Sequence, residues 1–180
     1  PLGAVDLTIA LHYVYNTPID KLIWDVGHQA YAHKIITGRK NEFKSIRQYG
    51  GISGFLKIDE SEFDSFGAGH ASTSISAGLG FAHSRDKDKK NHQIVSIIGD
   101  GAMTGGLAYE GLNNLGFHKT QMTVILNDNS YSISESVGAL SKYLTRIVTN
   151  PTYNKLRKDL WNLTDKIPTI SNPIKKIIKK

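Results

Sequence analysis

Two short segments carry oxygen ligands at a spacing that suits a hard cation. Gly99-Asp100-Gly101 closes the apolar run QIVSII, and Asn127-Asp128-Asn129 closes MTVIL, with Asp100 and Asn129 separated by 29 positions. If the two runs are neighbouring parallel strands, about 4.8 Å apart, one carboxylate and one amide oxygen converge above the same sheet edge. That pair fits Mg²⁺, which takes an octahedron of oxygens and is completed by phosphate and water rather than by a full protein cage. Gly101 lets the backbone approach those phosphates, and a helix beginning just after it offers free N–H groups to an anion. Either tripeptide alone reads as a turn. Their joint placement at the ends of consecutive strands is not explained by a turn, and it points to a metal-bound diphosphate.

The elements that must position these groups follow from period and punctuation. Ala4 to Tyr15 place Val5, Ile9, Leu11 and Val14 near a helical period, stopped by Asn16-Thr17-Pro18. Lys21 to Val26 is a short buried strand, Gln29 to Thr37 a helix ended by Gly38, Asn41 to Gln48 a further short helix, and Ile52 to Ser65 a loop. Ser72 to Ser84, rich in Gly, Ala and Ser, is expected to be a tightly packed helix with Ser72 or Thr73 as N-cap. Gln93 to Asp100 and Met122 to Asn127 are buried strands around a helix over Thr104 to Leu115. Repeating apolar strands between helices imply an α/β fold, a doubly wound parallel sheet with flanking helices, whose ligands sit beyond the carboxyl ends of its strands.

Composition narrows the classes. A chain of 180 residues with 39% hydrophobic and 21% charged residues is expected to bury a core, and the absence of cysteine removes disulfides, thiolate metal sites and Cys nucleophiles. No apolar run approaches the roughly 18 residues of a membrane helix, and Asp6 and His12 interrupt the start, so the reading is soluble and cytoplasmic, with no membrane partner. The net charge of +6 is concentrated in Lys166, Lys175, Lys176, Lys179 and Lys180. The body is nearly neutral, which argues against a nucleic-acid partner. The tail IPTISNPIKKIIKK reads as an amphipathic helix packing on a neighbouring part of a longer protein. A diphosphate-binding and Mg²⁺-binding domain over residues 1–150 and a lysine-rich helical or irregular tail over 151–180, divided at Asn150-Pro151, is the expected organisation. The opening at Pro1 suggests a piece of a longer chain.

The segments ALHYVYNTPIDKLIWDVGHQAYAHKIITGR, SFGAGHASTSISAGLG, GDGAMTGGLAYEGLNN and ILNDNSYSISESVGAL together resemble the 1-deoxy-D-xylulose-5-phosphate synthase family, closely over residues 2 to about 145 and loosely thereafter. The sister enzyme transketolase is not expected to carry DVGHQAY and GHASTSIS in this form. The resemblance implies a thiamine diphosphate-dependent condensation of pyruvate with D-glyceraldehyde 3-phosphate with loss of carbon dioxide, feeding isoprenoid, thiamine and pyridoxal biosynthesis. It also implies a homodimer. Its Mg²⁺ ligands match Asp100, Asn129 and the backbone carbonyl of Tyr131, where the family usually has methionine; a main-chain ligand should tolerate the change. Its cofactor contacts match His28, Gly69, His70, Ala71, Gly101, Ala102 and Asn129, with His28 also placed for proton transfer to substrate.

Both histidines sit where a strand or loop meets an expected helix, so imidazole N–H can donate to a phosphate, although a helix-capping role is the simpler local reading. The family's activating glutamate and a functional Ser-Gly-His stretch match nothing in this chain, which is therefore expected to hold the diphosphate half of a site without turning over alone. Another thiamine diphosphate transferase of the transketolase type, and a noncatalytic cofactor-binding domain, are the competing readings. His12, His33, His83, His92 and His118 are expected to be surface or packing residues. Ser132 and Ser134 lack a G-x-S-x-G elbow, and Glu110 and Glu135 lack a readable partner.

Overall fold

The computed structural model describes residues 2–128 and residue 155. The chain divides into two units, Pro1–Ser136 and Val137–Lys180, and the elements below belong to the first. The junction expected at Asn150-Pro151 and the lysine-rich tail lie outside the described residues.

Three short apolar runs form the sheet: β1 (Lys21–Trp24), β2 (Ile94–Gly99) and β3 (Thr123–Asn127). All pair in parallel in the order β1-β2-β3, with Leu22 opposite Val95, Ile97 opposite Ile125 and Gly99 opposite Asn127. β2 is the central strand and is buried from end to end. Its run of Ile and Val without polar alternation is what a strand covered on both faces requires.

Alternation sends Leu22, Trp24, Val95 and Ile97 to one face, where they pack with Leu11 of helix α1 (Val5–Val14), Ala30 and Leu56. Ile23 and Ile94 face the other way, against Ala82 of helix α3 (Ser74–Lys87). Between β1 and α3 lies helix α2, a single turn at Tyr31–Lys34. Helix α4 (Gly106–His118) links β2 to β3 and packs on α3, where Gly111 leaves no room for a Cβ beside Ile75 and Ser76. The expected α/β architecture is therefore present as a three-stranded parallel sheet flanked by helices.

Three expected elements differ in detail. The helix foreseen over Gln29 to Thr37 is broken into a 3₁₀ turn (Gly27–Ala30), α2 and a π turn (Ile35–Arg39) that ends on Gly38 at φ +100°. That left-handed angle is the helix stop anticipated at Gly38. The short helix expected over Asn41 to Gln48 shrinks to a 3₁₀ turn at Glu42–Ser45. Helix α3 starts at Ser74, with Thr73 at the N-cap position but making no side-chain cap. The stretch expected to be loop, Ile52 to Ser65, contains no helix or strand.

Carboxylates order that loop. Asp64 accepts from both terminal nitrogens of Arg39 at 2.7 Å and from the Lys57 N–H at 3.0 Å, while Glu60 accepts from Lys34, Arg39 and the Ser53 N–H. His33 Nε2 lies 3.3 Å from Asp64, His12 Nε2 lies 2.9 Å from His33 Nδ1, and the Thr17 hydroxyl lies 3.3 Å from His12 Nδ1. One donor direction satisfies all of these groups: Thr17 to His12, His12 to His33, His33 to Asp64. Burial would raise the Asp64 pKa, but hydrogen bonds from His33 and Arg39 outweigh it and hold the carboxyl far below its ordinary range.

Candidate functional site

Every strand of a parallel sheet ends at the same edge, so the residues that follow β1, β2 and β3 are neighbours by construction. After β2 comes Asp100, half-buried, then Gly101, exposed, then a 3₁₀ turn at Ala102–Thr104. After β3 comes Asp128, and because Gly99 is opposite Asn127, Asp100 and Asp128 each sit one residue past that paired position. Asn129 and Tyr131, the other expected metal ligands, lie outside the described residues, as do Ser132, Ser134 and Glu135.

After β1 come Asp25 and the 3₁₀ turn with His28 and Gln29. Gly27 has to be glycine, since a Cβ there would run into the Gly54 carbonyl. His28 is exposed, but partial desolvation and then the charge of Arg47 lower its pKa below the ordinary value. Such a histidine is neutral near pH 7, with one nitrogen free to accept and the other to donate.

The fourth contributor is the turn before α3. Gly69 and His70 are exposed and Ala71 is half-buried, with His70 Nδ1 2.7 Å from the Ala71 carbonyl. Asp25, fully buried, reaches this turn: its two carboxyl oxygens accept from the N–H groups of Ser72 (2.7 Å) and Ser74 (3.0 Å). A carboxylate from another strand thus caps α3, which is why neither Ser72 nor Thr73 does so. The Ser72 hydroxyl in turn donates to the Ala102 carbonyl at 2.6 Å. Asp25 went unnoticed in the sequence, although LIWD ends a strand in an acid as SIIGD does.

The edge fits a phosphate-bound metal in several respects. Nothing lies within 4 Å of a Cβ placed on Gly101 or Gly69, so both backbones are open to a ligand. Gln29 is buried against Gly99 with its Oε1 unpartnered, an acceptor at the same edge still lacking a donor. Among the described residues no three His, Asp or Glu side chains gather into a protein-only metal cage. A cation here would therefore be completed by amide, carbonyl, phosphate or water oxygens.

Fold and edge together define an α/β domain whose strand ends are laid out for an anionic cofactor and its cation. A family profile for 1-deoxy-D-xylulose-5-phosphate synthase matches residues 1–180. Among curated relatives bearing that name, the protein of Caldanaerobacter subterraneus subsp. tengcongensis is 54% identical over 99% of this chain and 29% of its own length. That of Carboxydothermus hydrogenoformans is 56% identical over 98% and 28%, and that of Syntrophus aciditrophicus 57% identical over 96% and 27%. The chain belongs to the 1-deoxy-D-xylulose-5-phosphate synthase family. It spans less than a third of the length of the curated relatives it matches. Among the described residues no helix is long and apolar enough to cross a membrane.

Proposed function

We propose that this chain supplies the diphosphate-binding and Mg²⁺-binding share of a thiamine diphosphate-dependent synthase that joins pyruvate to D-glyceraldehyde 3-phosphate with release of carbon dioxide. The observation that carries the reading is the register of β2 and β3: with Gly99 opposite Asn127, Asp100 and the NDN segment leave neighbouring strands at one edge. Family membership supports the same chemistry. Thiamine diphosphate, when bound, supplies the carbanion-stabilising thiazolium; the protein supplies binding, orientation and electrostatics.

In this reading Asp100 provides the charged oxygen ligand to Mg²⁺, with Asn129 and the Tyr131 carbonyl completing the protein's share. Gly101 and Ala102 lie against the diphosphate. His28 and the Gly69-His70-Ala71 turn contact the cofactor from the other side, and neutral His28 moves a proton at the substrate. The product feeds isoprenoid, thiamine and pyridoxal biosynthesis, and the working form is a cytoplasmic homodimer.

The test is cofactor binding by the intact protein, measured calorimetrically with and without Mg²⁺. Asp100→Ala removes the only charged ligand and should abolish Mg²⁺-dependent binding, while Asn129→Ala should weaken it strongly. Wild-type affinity in a folded Asp100→Ala protein would sink the assignment.

A further inference from the structure

We infer that Asp25 and Ser72 form a positioning relay that sets the two cofactor loops at a fixed separation. The inference rests on the cofactor reading above and adds to it two residues that touch no proposed ligand. Asp25 leaves the end of β1, is fully buried, and binds only backbone: the N–H groups of Ser72 and Ser74. It thereby fixes the start of α3 and the Gly69-His70-Ala71 turn that immediately precedes Ser72.

Ser72 carries the link onward. Its backbone is in the left-handed region at φ +74°, a conformation that a non-glycine residue adopts at a cost. The strain is held from both sides, by the Asp25 carboxyl on its N–H and by its own hydroxyl on the Ala102 carbonyl. Ala102 follows Gly101 directly, so this hydroxyl pins the loop that starts at Asp100. Gly105 closes the contact from beyond: a Cβ there would collide with the Ser72 hydroxyl. One side chain at the end of β1 thus holds, through one serine, the backbone of both loops. Outer partners of this kind commonly alter ligand affinity without contacting the ligand.

Two substitutions separate positioning from mere support. Ser72→Gly suits φ +74° better than serine does and keeps the N–H donated to Asp25, but it removes the hydroxyl on Ala102. Asp25→Asn leaves one amide N–H facing a backbone N–H, so one of the two bonds to the α3 turn is lost.

Each variant of the intact protein would be titrated with thiamine diphosphate in excess Mg²⁺, and its melting temperature measured without cofactor. The expected result is that Ser72→Gly melts at or above the wild-type temperature yet binds about tenfold more weakly, with Asp25→Asn weakened at least as much. Wild-type affinity in Ser72→Gly, or a loss of affinity accompanied by a lower melting temperature, overturns the relay. Should Asp25→Asn fail to fold, Ser72→Gly decides alone. A wild-type protein that binds no thiamine diphosphate overturns the cofactor reading and the relay together, whereas a binding wild type beside an unimpaired Ser72→Gly overturns the relay only.

Discussion

His12 shows how a single side chain couples this fold to pH. Burial first, and then the neighbouring His33, lower its pKa from 6.5 to about 4. Between those values the unfolded chain binds a proton that the folded chain refuses, so unfolding is favoured as the pH falls. The stability His12 contributes is therefore complete above pH 6.5 and is lost on the way down to about 4. His28, also shifted downward, adds in the same direction. Asp64 and Glu60, both held below the ordinary carboxylate range, surrender their contributions further into acid. A melting curve series should show a temperature several degrees lower near pH 4 than near pH 7, with a shallower dependence in His12→Gln; a flat series contradicts it. Little of this was legible in the sequence. Asp100 and its flanking glycines announce themselves by type and place, whereas the bonds from Thr17 through His12 and His33 to Asp64 join residues up to 31 positions apart without a motif.

At the scale of elements, the closeness of α3 to the sheet is set by one missing methyl. A Cβ on Gly78 would collide with the Ser96 hydroxyl and come within 2.7 Å of the Met122 methyl. Ser96 is itself committed, donating to the Ser74 carbonyl at 2.8 Å. Gly78→Ala should lift the helix and cost about 1–3 kcal/mol of overpacking, more than the roughly 1 kcal/mol that alanine gains in a helix. Gly80, in the same helix, has nothing within 4 Å of a Cβ. Gly80→Ala should therefore stabilise by about 0.5–1 kcal/mol. Denaturant unfolding of the two variants, shifted in opposite directions, checks the argument. The three strands were legible because KLIW, IVSIIG and TVILN are apolar and largely β-branched, with glycine or a polar residue at each end. Helix starts were not, since the cap of α3 comes from Asp25 and the break before α2 comes from the approach of Gly27 to Gly54. Local sequence carries no trace of a partner dozens of residues away.

For the whole molecule, the reach of the chain sets what it can do. Spanning less than a third of its relatives, it is proposed to bind the diphosphate end of the cofactor without completing a turnover. The isolated 180-residue polypeptide should show no pyruvate-dependent release of carbon dioxide; measurable release would require the activating group to be found within these residues. A parallel sheet also gives the molecule two unlike ends. All three strands deliver their carboxyl termini to the site, so the returns from α3 to β2 and from α4 to β3 must lie at the opposite edge. Each return carries a lysine in the left-handed region, Lys89 at φ +54° and Lys119 at φ +52°, and both are exposed. These turns are therefore natural handles: a fluorophore, a surface tether or a short inserted peptide placed at either would leave the ligand edge facing freely into solution.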